Sequence, residues 1–128
     1  QMLLRTQGEL ARSARFTVEA TGVTLSVDAA LPCGLILNEL VTNALKYGIP
    51  VGRPPELTIR ARRVDGDIEI KVKDNGPGLP AGLDATTTTT LGLHLVRTLS
   101  RQVGGKVSYA YSAGAEWTLV FAENGDDD

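Results

Sequence analysis

Apolar and polar side chains alternate between residues 56 and 74, on both sides of the dipeptide Asp65-Gly66. The apolar members are Leu57, Ile59 and Ala61 before the dipeptide and Ile68, Ile70 and Val72 after it. A period of two places alternate residues on one face of a strand, and Asp-Gly favours the tight turn of a hairpin. The pattern therefore predicts two antiparallel strands that share one apolar face.

The other regular elements follow from helical and strand periodicity. We predict an amphipathic helix over residues 1–16, a strand over 23–28, a helix over 32–47 that stops at Gly48, a helix over 91–103 and a second hairpin over 106–121. Hairpins interleaved with helices, without a regular βαβ series, are typical of an α+β fold. We expect a two-layer α/β sandwich, whose mostly antiparallel mixed sheet is covered on one face by helices.

The 128 residues have the length of one domain. We assign residues 1–16 to an N-terminal helix or a linker from an upstream helical domain, 17–122 to the domain itself and 123–128 to a disordered acidic tail. Residues 80–90, with five consecutive threonines, are expected to form a mobile flap. Because the first residue is not Met, we expect the chain to be part of a longer protein.

Charge and cysteine content exclude several function classes. A net charge of −2 does not suggest a nucleic-acid surface. Cys33 and His94 are the only residues of their kinds, so neither a zinc site nor a disulfide framework is expected. Cys33 is interpreted as a small buried residue of a cytoplasmic protein. No apolar run approaches the roughly 18 residues of a membrane span, so we expect no direct membrane contact.

Three groups of residues have the chemistry of a nucleotide site. On the helix over 35–47, Glu39, Asn43 and Lys46 share a polar side with Tyr47 beside them. An acid, an amide, an amine and an aromatic ring on one stripe suit a metal, a phosphate and a base. An ordinary solvated helix face is the alternative.

The second group is the end of the second strand. The period of two puts Asp74 on the inward face, in the row of Ile68, Ile70 and Val72. A buried carboxylate is costly unless a donor reaches it, and a ligand amino group would serve. Gly76 and Gly78 leave room for a flat ligand, whereas the alternative is a plain Asp-Asn-Gly turn.

The third group begins the helix over 91–103. Thr90, Leu91, Gly92 and Leu93 stand where free backbone N–H groups and the helix dipole favour an anion. An N-capping threonine is the simpler alternative. His94 lies away from the packed stripe, so three roles stay open for it: a phosphate contact, a surface residue, or a catalytic group.

These groups, in this order, resemble the GHKL ATPase superfamily of gyrase-like ATPases, heat-shock chaperones, histidine kinases and mismatch-repair ATPases. Residues 38–48 (NELVTNALKYG) look like its N box, 74–78 (DNGPG) like its G1 box and 91–105 (LGLHLVRTLSRQVGG) like its G2 box. The sequence is most similar to histidine kinases of the second HisKA type, and also to the related HWE group. The Trp-x-Glu element of that group is absent, because residues 68–73 (IEIKVK) stand there.

The resemblance implies a Bergerat-type fold and roles for single residues. Asn43 would ligate Mg²⁺, and Glu39 would be the catalytic residue that helps the metal and its water. Lys46 would reach phosphate and Tyr47 would pack on adenine or ribose. Asp74 would accept a hydrogen bond from the adenine amine. The loop residues that would border the nucleotide are Asn75, Gly76, Gly78 and Leu79, and those that would hold phosphate are Thr90, Leu91, Gly92, Leu93 and His94.

The implied activity is that of a sensor histidine kinase. The domain would bind Mg-ATP and donate the γ-phosphoryl group to a histidine on a separate dimerisation domain, and a response regulator would receive it next. This chain alone would be a monomer that does not phosphorylate itself, whereas the full-length protein would be a homodimer. Alternatives are an anti-sigma-type serine kinase and a nucleotide-sensing module without transfer. A gyrase- or chaperone-like clamp is disfavoured by Lys46-Tyr47, the short flap and the missing transducer domain.

Three departures from the family pattern stand out. Thr90 replaces a Gly that often precedes Leu-Gly, and the flap has no clear Phe-rich box. Gly114-Ala115 stands where the family often has Gly-Thr before the last strand. A hydroxyl that could support Asp74 is therefore missing, and Thr118 is not an obvious replacement.

Overall fold

The computed structural model describes residues 15–20, 22–47, 50, 52–77 and 91–123. Its elements in chain order are β1 (Arg15–Glu19), α1 (Val27–Tyr47), β2 (Glu56–Val64), β3 (Asp67–Asp74), α2 (Leu91–Gln102), β4 (Lys106–Tyr111) and β5 (Ala115–Ala122). The strands form one sheet in the order β1-β2-β3-β5-β4, and β1 is parallel to β2 whereas the other neighbours are antiparallel. The predicted α+β sandwich with a mixed, mostly antiparallel sheet is confirmed.

Both predicted hairpins are present. β2 and β3 are joined through Asp65 and Gly66, whose φ angles of 53° and 85° are those of a tight hairpin turn. β4 and β5 are joined through a turn at residues 112–114, in which Ala113 and Gly114 also have positive φ. Burial alternates along the whole of β3, and its inward row ends at Asp74, as the period of two predicts.

α1 begins five residues before the predicted start at Pro32. The Ser26 hydroxyl accepts a hydrogen bond from the Ala29 N–H at 3.2 Å, which caps the helix. Pro32 therefore lies inside the helix, where it removes one backbone donor. The predicted strand over 23–28 is wrong, because Val23 and Leu25 pack against the core from a segment that pairs with none of the described strands.

The predicted N-terminal helix is wrong at Arg15 and Phe16, which open β1. These two residues pair with Glu56 and Leu57 of β2, so backbone pairing with a neighbouring strand replaces helical bonding there. Residues 1–14, the helix stop at Gly48, the flap over 80–90 and the tail over 124–128 lie outside the described residues.

The core lies between the sheet and the two helices. α1 contributes Cys33, Ile36 and Leu40, and Leu37, Val41 and Ala44 pack beside them. α2 contributes Leu93, Val96 and Leu99. Cys33 is 1% exposed, and burial raises the pKa of its thiol to about 11, so its interpretation as a buried structural residue is confirmed.

The sheet register places three element ends at one end of the sandwich. β2 starts beside the end of β3, since Leu57 pairs with Asp74, and α1 ends shortly before β2. α2 is followed by β4, whose first residues pair with residues near the end of β5, at the end of the sheet far from Asp74. α2 therefore ends there and begins at the end where Asp74 lies. The last turns of α1, the first turn of α2 and Asp74 therefore meet at the same end.

Candidate functional site

Asp74 is a buried carboxylate, 8% exposed, held by backbone amides. Its Oδ1 accepts hydrogen bonds from the N–H groups of Gly76 and Ala115, both at 2.9 Å. Burial raises the pKa of Asp74, against the opposing effects of these two amides and of the Lys73 charge. Within the described ranges no hydrogen bond reaches Oδ2. One oxygen is thus anchored, and the other has no donor among the described residues.

Ala115 is the site residue that the sequence analysis did not find. Its backbone N–H donates the hydrogen bond to Asp74 that a side-chain hydroxyl was expected to supply. Asp74 is therefore held in place although the sequence departs from Gly-Thr here. Thr118 takes no part, because its hydroxyl lies on the outer face of the sheet and accepts from the Lys71 amine at 3.4 Å.

Gly114 allows the chain to pass close to the Asp74 backbone, so that the Ala115 N–H can reach the Asp74 carboxylate. A Cβ built on Gly114 would overlap the carbonyl oxygen of Asp74 and lie 2.9 Å from its carbonyl carbon. Its φ of 139° is also a conformation that side-chain-bearing residues rarely adopt. A glycine before Ala115 is therefore a steric requirement of the site.

Asn75 braces the loop that leads into β2. Its Oδ1 accepts from the Glu56 N–H at 2.9 Å, and its Nδ2 donates to the Pro54 carbonyl at 3.3 Å. The Arg53 guanidinium donates to the Asn75 carbonyl at 3.3 Å. Both ends of the carboxamide are thus occupied, so in this structure the predicted nucleotide-binding side chain acts as a clamp that fixes the Asp74–Gly76 turn.

α1 carries the predicted polar face towards the same end. Glu39 and Asn43, one turn apart, are half-buried, and Lys46 is exposed. The Nδ2 atom of Asn43 is buried and has no hydrogen-bond partner among the residues described. An unsatisfied buried donor costs about 1–3 kcal/mol, which an acceptor on a ligand would relieve. The Tyr47 side chain lies outside the described part of the chain.

α2 starts at Leu91 as predicted, so its first N–H groups lack intrahelical partners. The Leu93 side chain is in the core, 4% exposed, and only its backbone N–H could face a phosphate. His94 is exposed, as expected. The other predicted contacts of this region are outside the described structure, namely Gly78, Leu79, Thr90 and the side chains of Leu91 and Gly92.

The donor set suits a cation that arrives with phosphates. In the part of the chain that the structure describes, no three His, Cys, Asp or Glu residues group together as a self-sufficient metal site. Mg²⁺ commonly takes one or two protein oxygens and completes its shell with phosphates and water. Glu39 and Asn43 fit that pattern.

A separate cleft of about 200 Å³ lies at the opposite end of the sandwich. Ser26, Arg101 and Phe121 are among its lining residues, and it contains none of the predicted site residues. As for membrane insertion, neither described helix has the length and apolarity that a bilayer crossing requires.

Replacing Gly114 by Ala is expected to lower the free energy of unfolding by about 1–3 kcal/mol, because the turn must move away from Asp74 or hold a strained backbone. Gly34→Ala is the control, since that helical glycine has open space around its Cβ position and should gain about 0.5–1 kcal/mol. Urea unfolding measures both. Equal stabilities of the two variants would contradict the steric role of Gly114.

Asp74→Asn is expected to stabilise the ligand-free protein more at neutral pH than in acid. Because burial raises the folded-state pKa above 3.8, the folded protein binds this proton more tightly than the unfolded chain. The carboxylate's contribution to stability therefore falls as the pH rises from the unfolded pKa through the folded one. Urea unfolding from about pH 3 to about pH 7 should show the variant's advantage growing across this window. An advantage that does not change with pH would refute the raised pKa.

Comparisons with known proteins identify the family and the fold of the chain. Residues 28–124 match the family described as histidine kinase-, DNA gyrase B- and HSP90-like ATPases. The sensor histidine kinase PdtaS of Mycobacterium tuberculosis is 37% identical over 76 residues, which are 59% of this chain and 15% of that protein. Blue-light-activated histidine kinase 2 of Erythrobacter litoralis is 27% identical over 107 residues, 83% of this chain and 30% of that protein. The chain therefore spans less than a third of the length of these relatives.

Solved structures share the fold. A blue-light activated histidine kinase of Erythrobacter litoralis superposes with a TM-score of 0.82 at 21% identity, covering 94% of this chain and 40% of that one. The histidine kinase AdeS of Acinetobacter baumannii gives a TM-score of 0.74 at 21% identity, covering 92% and 59%. The chain belongs to the family of histidine kinase-, DNA gyrase B- and HSP90-like ATPases.

Proposed function

We propose that this domain binds Mg-ATP where β3, α1 and α2 end together, and donates the γ-phosphoryl group to a histidine of a separate phosphoacceptor domain. An aspartate of a response regulator would then receive the group. The observation that carries the proposal is the buried Asp74 carboxylate, with Oδ1 held by two backbone amides and Oδ2 without a donor among the described residues.

Asp74 would select the base. Adenine presents an exocyclic amine at the position where guanine presents a carbonyl oxygen. The open Oδ2 accepts a hydrogen bond from the amine, whereas the guanine oxygen would face a second acceptor in a buried site. Selection of ATP over GTP follows, because mismatched buried polar groups discriminate strongly. Gly76, which is buried in the same turn, leaves backbone rather than a side chain beside the purine.

The ends of α1 and α2 would hold the phosphates. The orphaned Asn43 amide, the exposed Lys46 amine and the free N–H groups of the first turn of α2 are complementary to anionic oxygens. His94 would contact the phosphate side. Mg²⁺, held by Asn43 and Glu39 together with phosphate oxygens, would supply charge stabilisation for the transfer.

In the transfer itself, the bond between the γ-phosphorus and the bridging oxygen breaks and ADP leaves. A phosphorus–nitrogen bond forms at the acceptor imidazole, which gives up its N–H proton. Such transfer depends mainly on position and electrostatics, which is what a fixed base-binding carboxylate and a fixed phosphate cradle provide.

Nucleotide titrations watched by NMR test the site. The labelled chain should show shifts at the end of β3 with a non-hydrolysable ATP analogue and much weaker binding of the GTP analogue. Asp74→Asn should lose about 1–3 kcal/mol of ATP affinity, because the adenine amine then meets a weaker or wrongly placed partner. Equal ATP affinity in the variant and the wild type would remove Asp74 from the site.

Labelled ATP tests the transfer separately. The chain alone should remain unlabelled, whereas a supplied phosphoacceptor domain should gain acid-labile phosphate. Acid-stable phosphate on a protein substrate would instead favour the serine kinase alternative. Strong labelling of His94 would contradict the proposal that the accepting histidine lies on a separate domain.

Asn43→Ala is expected to reduce Mg²⁺-dependent phosphoryl transfer more than it reduces binding of the bare nucleotide, because the amide oxygen is proposed to act on the metal. Calorimetry with and without Mg²⁺ separates the two effects. Asn38→Ala is the matched control, since Asn38 is exposed on the same helix. An equal loss of affinity with and without Mg²⁺ would contradict a metal role for Asn43.

A further inference from the structure

The outer side of α1 exposes a row of large apolar side chains to solvent. Val27 is 86% exposed, Leu31 is 71% exposed and Leu35 is 45% exposed. The three residues are four positions apart, so they follow one another along the same side of the helix. At 100° per residue this side points away from the core residues of α1. We name these three side chains the α1 row.

The sequence around the α1 row is apolar on every side of the helix. Residues 29–37 (AALPCGLIL) contain no charged side chain, no amide and no hydroxyl. A surface helix normally carries polar residues on its outer side, whereas a helix that is apolar all round is buried. α2 follows the normal pattern, because its outer residues His94 and Arg101 are exposed and polar. The α1 row therefore needs a cover that the described residues do not provide.

The spacing of the α1 row makes it complementary to a second copy of itself. Around a two-fold axis, a residue of one copy meets a second residue of the other copy, and the reverse contact forms as well. With antiparallel helices and the axis at Leu31, Leu31 meets Leu31 of the second copy, and Val27 meets Leu35. The flanking residues Ala30 and Gly34 are small and exposed, so the two backbones can approach closely. Interdigitation of such i±4 ridges is the commonest packing of helices in globular proteins.

Charge and area indicate a weak contact. Because residues 29–37 carry no charge, two copies meet without placing like charges together. The α1 row offers on the order of a few hundred Å² of apolar surface, below the roughly 800 Å² per partner of a stable complex. We propose that α1 pairs with α1 of a second copy of this chain, antiparallel about Leu31, as a reversible contact that leaves the chain monomeric in dilute solution.

The proposed contact does not involve the candidate nucleotide site. Glu39 and Asn43 lie beyond the α1 row, towards the other end of the helix. The pairing is therefore expected with and without a nucleotide, and it stands whether or not the domain transfers a phosphoryl group.

Disulfide trapping tests the position of the two-fold axis. The Leu31→Cys variant should form a disulfide-linked dimer with oxidised glutathione at least about tenfold faster than Asn38→Cys, because only position 31 meets itself. Asn38 is the matched control, since it is exposed on the same helix but lies about 21 Å along the pair from its own copy. Cys33 is buried with a raised thiol pKa, so it does not compete. Equal rates for the two variants would overturn the proposal.

A mixture of two variants tests the antiparallel register. Val27→Cys and Leu35→Cys, one of them carrying a mass tag, should form the mixed disulfide at least about tenfold faster than either forms a disulfide with itself. In the proposed pair, position 27 lies about 12 Å along the helix from its own copy, beyond the reach of a disulfide. Faster linkage of either variant with itself would contradict the antiparallel pairing.

Sedimentation of the chain with its natural α1 measures the association directly. The average mass should rise towards that of a dimer at about 1 mM and remain that of a monomer at about 20 µM. Leu31→Glu places two like charges on the axis and should stay monomeric at both concentrations. Since Leu31 is 71% exposed, the variant keeps its core, which circular dichroism checks. Equal masses of the two chains at about 1 mM would overturn the proposal and leave the α1 row to a different partner.

Discussion

The geometry of the site depends on the hydrogen bond from the Ala115 amide to Asp74. This bond ties the turn between β4 and β5 to the end of β3, and it forms only because Gly114 lies against the Asp74 backbone. The Gly76 amide holds the same oxygen from the other side. Two rigid donors on one oxygen fix the plane of the carboxylate, so the direction in which the other oxygen accepts is set before a ligand binds.

That arrangement makes the ligand-free domain less stable than its core would allow. Burial raises the pKa of Asp74, which means that the charged form is held at a cost, and Asn43 keeps a buried amide without a partner in the described structure. In the proposed site, a nucleotide that donates a hydrogen bond to Asp74 and accepts one from Asn43 would remove both penalties. Binding and folding are therefore linked, and ligand should stabilise the domain beyond the contacts it adds.

The sequence predicts the hairpins and the inward position of Asp74 well, because strand periodicity and turn residues act locally. It does not predict β1, since a short edge strand with exposed residues differs little from a helix end until its parallel partner is known. The sequence does not predict the start of α1, because Val23, Leu25 and Val27 follow the alternation of a strand. The Ser26 side chain instead caps a helix that begins at Val27. Asn75 was predicted to border the nucleotide, but its clamp role and the hydrogen bond from the Ala115 amide could not be predicted, because these bonds join chain segments about 20 and 40 residues apart.

The parallel pairing of β1 and β2 explains why α1 reaches the site. Parallel neighbours require a crossover that returns the chain to the end where the first strand began. α1 has 21 residues and is therefore about 31 Å long, almost twice the length of β1. A helix of that length carries Glu39 and Asn43 past the middle of the sheet to its Asp74 end. Since β3 lies between β2 and β5, Asp74 is shielded on both sides, and the open end of the sandwich is the direction from which a ligand can approach.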